Sequence, residues 1–177
     1  VPNIIFGKSK PPIILGHQNK KYILQTSWSK ADVQKFPVND CHEMVQDKFG
    51  RILLLTNETK NNVLLYDRSG KLLDAWGHEY PGAHGLTLHH ENGTDFLYIC
   101  DNQRHQVIKT TIDGKVLMTL DYPKEIENYK NAAQYVPTET AIADNGDIYV
   151  ADGYGLDFII QYNQKGEYIR HFGGRGT

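Results

Sequence analysis

The sequence predicts an all-β chain, a β-propeller of four-stranded antiparallel blades with three blades present, and three observations carry that prediction. First, the stretches GRILLLTNETKNNVLLYDRSGKLLDAWG, TDFLYICDNQRHQVIKTTIDGKVLMTL and GDIYVADGYGLDFIIQYNQKGEYIRHFG repeat one pattern. A repeat of this length marks an array of small sheets. Second, a polar residue closes the first apolar run of each copy, at Asn57, Asp101 and Asp152, and a turn glycine follows 13, 13 and 14 residues later at Gly70, Gly114 and Gly166. Third, the apolar runs are short, rich in β-branched and aromatic residues, and bounded by turn residues, as strands are.

Each element then follows in order. Residues 1–38 form an N-terminal arm whose strand-like KYILQTSW is placed to donate the closing outer strand of the last blade. Blade 1 (39–82) offers HEMVQD, ILLL, VLLYD and KLLDAW as its four strands; blade 2 (83–121) offers HGLTLH, FLYIC, QVIKT and KVLMTL. The turn glycines of blades 1 and 2 are 44 apart and those of blades 2 and 3 are 52 apart, so the polar, tyrosine-rich segment 122–136 reads as an inserted loop. Blade 3 (137–177) supplies TETAIA, DIYVA, FIIQY and EYIRHF, with HFGGRGT as the start of a linker towards a further blade. The tight turns DRSG, IDGK and NQKG use glycine's tolerance of positive φ.

Composition narrows the function classes. With 40% apolar residues and a formal charge of −2, the chain lacks the basic excess of a nucleic-acid binder. No run of about 18 apolar residues exists to span a membrane, and the opening VPNIIFGKSKPPIIL shows no charged segment followed by a long apolar core. Cys100 lies in an apolar strand pattern and reads as a small buried hydrophobe, with pairing to Cys41 as the alternative. There is no phosphate-binding GxxxxGK[ST] loop and no Gly-x-Ser-x-Gly elbow. Asp144, Asn145, Asp147 and Asp152 could bind calcium, but turn and cap duties explain them more simply.

The blade pattern resembles the NHL-repeat class over residues 39–173, through the acidic residue after the second strand and the glycine turn between the third and fourth. That resemblance implies a six-bladed ring, of which three blades stand in this sequence. Three blades alone would leave a sheet face uncovered. The expectation is therefore part of a longer propeller, with self-association of two copies as the alternative.

Propellers carry function at the central channel, and the innermost strand of each blade begins there. Aligned copies place His42, His84 and Thr138 at equivalent positions, followed by Glu43, Gly85 and Glu139. Two imidazoles near one axis could converge on zinc or a related divalent transition metal. Polar strand starts satisfied by neighbouring backbone are the alternative. His105, in the connection after Asp101, could face the channel mouth; His89 and His90 sit beside an Asn-Gly turn and read as solvated.

A narrower resemblance rests on Ala83-His84-Gly85-Leu86, His105-Gln106-Val107, Pro137-Thr138 and Ala151-Asp152-Gly153-Tyr154. Together these are similar to peptidyl-α-hydroxyglycine α-amidating lyase, a six-bladed propeller that splits a carbinolamide into a peptide amide and glyoxylate. The resemblance implies His84 as one of three zinc-binding histidines, the other two lying beyond Thr177, and the Leu86 carbonyl as a calcium ligand. It implies Tyr154 as the base, a loop-capping tyrosine being the alternative. It also implies an extracellular or periplasmic protein. Two departures stand out: Asn57 occupies the place of an active-site arginine, and an asparagine cannot form the bidentate pair with a substrate carboxylate; His42 and Glu43 suggest altered chemistry. The expected functions are thus a metal-dependent lyase acting on a peptide or small molecule, or a non-catalytic propeller that binds a peptide, saccharide or protein partner.

Overall fold

Alternation of side chains across a strand decides how the three repeats are laid down. In a computed structural model that describes residues 11–176, leaving residues 1–10 of the arm and Thr177 outside the described residues, each repeat is one four-stranded sheet. The arm opens with β1 (Ile13–His17) and β2 (Lys20–Leu24), which pair with each other as an exposed hairpin. Blade 1 comprises β3 (Glu43–Gln46), β4 (Ile52–Leu55), β5 (Val63–Tyr66) and β6 (Leu72–Trp76). Blade 2 comprises β7 (Ala83–Glu91), β8 (Thr94–Asp101), β9 (Gln106–Thr111) and β10 (Val116–Leu120). Blade 3 comprises β11 (Glu139–Ile142), β12 (Ile148–Ala151), β13 (Phe158–Tyr162) and β14 (Tyr168–Gly173). Each blade is an antiparallel meander, and in each a bulge interrupts the pairing of its third and fourth strands.

Blade 2 is the middle layer, so its strand β8 is buried on both faces. Leu97 and Ile99 of β8 join Leu53, Leu55, Val63 and Leu86 in a core against blade 1. The intervening Tyr98 and Cys100 join Ile148, Val150, Ile160 and Tyr162 in a second core against blade 3. In β4 and β12 burial instead alternates, which leaves one face of each of these strands half-exposed. Both cysteines are free thiols, Cys100 buried and Cys41 exposed.

The arm seats on blade 1. Lys30 N–H donates to the Gly70 carbonyl at 2.8 Å, Trp28 Nε1 to the Arg68 carbonyl at 3.2 Å, and the Trp28 and Tyr66 rings lie 5.4 Å apart. Gly70 has φ +83°, and a Cβ there would collide with the Trp28 carbonyl. Among the described residues the arm's strands pair only with each other, and none joins the blade 3 sheet. No helix among the described residues is long and apolar enough to cross a membrane.

The 122–136 segment is more than a surface loop. It runs through successive turns and a 3-10 turn at Ala132–Gln134, and it drives Ile126, Tyr129 and Tyr135 into the core between blades 2 and 3.

Candidate active site

The innermost strands β3, β7 and β11 lie side by side, and the residues at their starts form one cavity of about 370 Å³. His42, Glu43, His84, Thr138, Glu139 and Tyr154 line it. The register equivalence of the repeats therefore brings His42, His84 and Thr138 to one place.

His84 reaches the cavity through a backbone irregularity. Ala83 pairs with Asp101 and Gly85 with Cys100, so His84 is the extra residue of a bulge in β7. A bulge re-aims the side chain that it carries. Gly85 is required beside it, since a Cβ would strike the Thr138 carbonyl.

That same carbonyl sets the imidazole. His84 Nδ1 lies 3.1 Å from the Thr138 oxygen, and because a carbonyl only accepts, Nδ1 carries the proton. Nε2 then presents its lone pair, which accepts the Tyr154 hydroxyl at 3.2 Å. His42 stacks on the other side, with ring centroids 4.3 Å apart and planes inclined by 21°, while Tyr154 meets His84 edge-on at 5.2 Å. Ligating histidines are commonly oriented this way, by a backbone carbonyl on the nitrogen remote from the metal. His84 accordingly fits a metal ligand at Nε2. Among the described residues, however, no three His, Cys, Asp or Glu side chains lie together in an arrangement that could hold an ion.

Below the histidines sit two carboxyls. Glu43 Oε2 accepts the Leu86 N–H at 2.8 Å; Glu139 Oε1 accepts the Thr87 hydroxyl at 2.9 Å and the Thr140 N–H at 2.8 Å. Burial, then the facing Glu139 carboxyl, pushes Glu43 from 4.5 up to about 7. Leu86 itself is a core residue of β7.

Two other residues singled out in the sequence do not line this cavity. Asn57 ties the chain entering blade 1, its Oδ1 accepting the Asp40 N–H at 3.0 Å and its Nδ2 donating to Asp40 Oδ2 at 3.1 Å. His105 donates Nδ1–H to the Tyr135 carbonyl at 2.7 Å, which fastens blade 2 to the 122–136 segment. His90, read as solvated, is exposed, and its Nδ1 lies 2.6 Å from the buried Asp95.

Tyr129 and Gly155 were not among the residues singled out in the sequence. A Cβ on Gly153 would press on the Thr138 side chain, and one on Gly155 would collide with Asp152 and with the Gln134 carbonyl. The pattern Asp-Gly-Tyr-Gly was the available signal. Glycine on both sides of an exposed aromatic marks a backbone hemmed in by neighbours.

The three four-stranded blades, with the cluster at their inner ends, make this chain part of a β-propeller. In sequence the chain is similar to peptidyl-α-hydroxyglycine α-amidating lyase 1 of Drosophila melanogaster, 36% identical over 90% of this chain and 33% of that protein. It is likewise similar to a probable peptidyl-α-hydroxyglycine α-amidating lyase of Caenorhabditis elegans, 33% identical over 71% of this chain and 33% of that protein. The chain thus spans about a third of the length of these relatives. No protein-family model matches it. Among solved structures, a streptogramin B lyase superposes with TM-score 0.55 at 16% identity, covering 77% of this chain and 40% of that one. A virginiamycin B lyase from Staphylococcus aureus superposes with TM-score 0.56 at 14% identity, covering 86% and 44%. At such identities the likeness shows the fold alone.

Proposed function

We propose that this chain carries part of the active site of a metal-dependent lyase that cleaves peptidyl-α-hydroxyglycine, working outside the cytosol. The observation that carries the reading is the His84–Tyr154 pair, with Nδ1–H spent on Thr138 and Nε2 facing the phenol. In the reaction the substrate hydroxyl loses its proton and its C–O bond becomes a carbonyl. The C–N bond breaks with its electron pair going to nitrogen, which takes up a proton, so the products are a peptide amide and glyoxylate.

Tyr154 is the group for these proton movements. Its side chain is 65% exposed, so a substrate can reach the hydroxyl, and proton transfer by a positioned side chain contributes about 10²–10⁴-fold. His84, with His42 beside it, would hold zinc or another divalent transition metal together with ligands from outside residues 11–176. Such an ion supplies Lewis-acid polarisation of a substrate oxygen. Glu43, Glu139 and the Leu86 carbonyl offer hard oxygen donors suited to calcium.

The test is glyoxylate release by the full-length protein from a peptide ending in α-hydroxyglycine, alongside elemental analysis. His84→Ala should lower release by at least about 10²-fold and remove stoichiometric metal. Unchanged release and metal content in that variant overturn the reading. One observation favours a second reading, a propeller that binds a peptide, saccharide or protein without catalysis: Asn57 is engaged with Asp40 and supplies no cation for a substrate carboxylate. Partner binding without glyoxylate formation would establish it.

A further inference from the structure

Equivalent loops follow the second strand of blades 2 and 3, and only the second of them bears a tyrosine that reaches the channel. Asp152 begins that loop and is wholly buried. Its Oδ2 accepts the Tyr129 hydroxyl and the Leu156 N–H, and its Oδ1 accepts the Val136 N–H, each at 2.6 Å. Two of these three donors belong to the 122–136 segment. The segment also abuts the loop from outside, because the Gln134 carbonyl occupies the space that a Gly155 side chain would need. Asp157 closes the loop in the left-handed region at φ 62°, with Asp157 N–H donating to the Asp152 carbonyl at 3.1 Å. Burial and the neighbouring carboxylate push the Tyr129 phenol well up, which keeps it a donor.

The loop of blade 2 supplies the contrast. Asp101 is equally buried, and its Oδ1 accepts the Gln103 and Arg104 N–H groups, but its Oδ2 has no partner. The 122–136 segment meets this loop through the Tyr135 carbonyl, which accepts His105 Nδ1–H at 2.7 Å, but it supplies Asp101 with no donor.

We propose that residues 122–136 are a strap that clamps Asp152 through Tyr129 and Val136, and that this clamp holds the 152–157 loop so that the Tyr154 hydroxyl stands at His84 Nε2. Tyr129, Asp152 and Gly155 are therefore positioning residues for Tyr154. In its catalytic meaning the inference rests on the lyase reading; in its structural meaning it does not.

Two variants of the full-length chain test it, Tyr129→Phe, which keeps the ring in the core, and Gly155→Ala, which pushes on the strap. Amide hydrogen exchange should speed about 10-fold or more at Val136 and Leu156 in both, with Val150 and Ile160 in the blade unchanged. In metal-free protein kept in chelator the ¹⁵N shift of His84 Nε2 should move as the phenol withdraws, and glyoxylate release by the metal-loaded protein should fall about 10-fold in kcat with KM within about 2-fold. Unaltered exchange and an unaltered His84 signal in Tyr129→Phe overturn the strap, whatever the activity. A wild-type protein that releases no glyoxylate defeats the lyase reading, while exchange and the imidazole signal still decide the strap. Should Gly155→Ala fail to fold, Tyr129→Phe decides alone.

Discussion

Asp101 and Asp152 occupy the same position of the repeat, and both are 0% exposed, yet they do different work. Asp101 turns its own loop with two short-range backbone donors and leaves one oxygen unmatched. Asp152 spends both oxygens, and two of its donors arrive from a segment that blade 2 lacks. A repeat thus supplies a generic device for ending a strand, a buried carboxylate capping the next turn. An insertion between copies converts one instance of the device into an anchor.

The sharpest way to break this comparison is to remove each carboxylate. Asp152→Ala strands three donors, two of them in the strap, and should cost about 4 kcal/mol, given about 1–3 kcal/mol for each buried group left unpaired and some recovery by relaxation. Denaturant unfolding of the full-length protein measures it. Equal costs for Asp152→Ala and Asp101→Ala would erase the distinction between the loops.

The next largest effect contrasts the residues two places further on, Tyr154 and Gln103. Tyr154→Phe should lower glyoxylate release by about 10²-fold or more, whereas Gln103→Ala should leave it within about 2-fold. Zinc affinity should hold or tighten in Tyr154→Phe, because the phenol and a metal compete for the single lone pair of His84 Nε2. Titration with a chelator of known affinity reads this out. Weakened zinc binding would instead make Tyr154 a part of the metal site.

Asp101→Ala follows, at about 1–2 kcal/mol. The N–H groups of two exposed residues lose their acceptor, but the unmatched Oδ2 goes with them, and its desolvation cost is recovered.

How much of this was legible beforehand depends on the physical origin of each feature. The blades were legible because β8 buries both faces and therefore reads as an unbroken apolar run, while turn glycines mark its neighbours at nearly equal offsets of 13 and 14 residues. Grouping of His42, His84 and Thr138 followed from register alone. The bulge that aims His84 was not legible, since Ala-His-Gly is compatible with an ordinary strand start and only the approach of the Thr138 carbonyl shows why Gly85 is required. Nor was the strap. Ile126, Tyr129 and Tyr135 are spaced without strand or helix periodicity among polar residues, so their burial depends on partners in other blades. A hairpin of β1 with β2 was likewise hidden, for KYILQTSW reads equally well as a strand seeking any edge.

The smallest predicted effect carries the comparison to the inner strands, where Glu43 of blade 1 and Glu139 of blade 3 are repeat equivalents with unequal company. Glu43 has the Leu86 N–H as its donor, and burial first, then the facing Glu139 carboxyl, raises its value to about 7. His42, His84 and Tyr154 share the same cavity. A carboxyl raised on folding contributes stability that is complete below its ordinary 4.5 and is lost as pH climbs through about 7. In metal-free protein kept in chelator, this part of the stability should decline by about 1 kcal/mol between pH 5 and pH 8, a figure discounted for solvent screening of a group that is only partly buried. Glu43→Gln keeps a neutral side chain of the same size and should flatten that decline, whereas Glu139→Gln should leave Glu43 nearer its ordinary value and flatten it from the other side. Unfolding midpoints of the three proteins at the two pH values decide the matter. A decline that survives both substitutions would place the proton elsewhere in the channel.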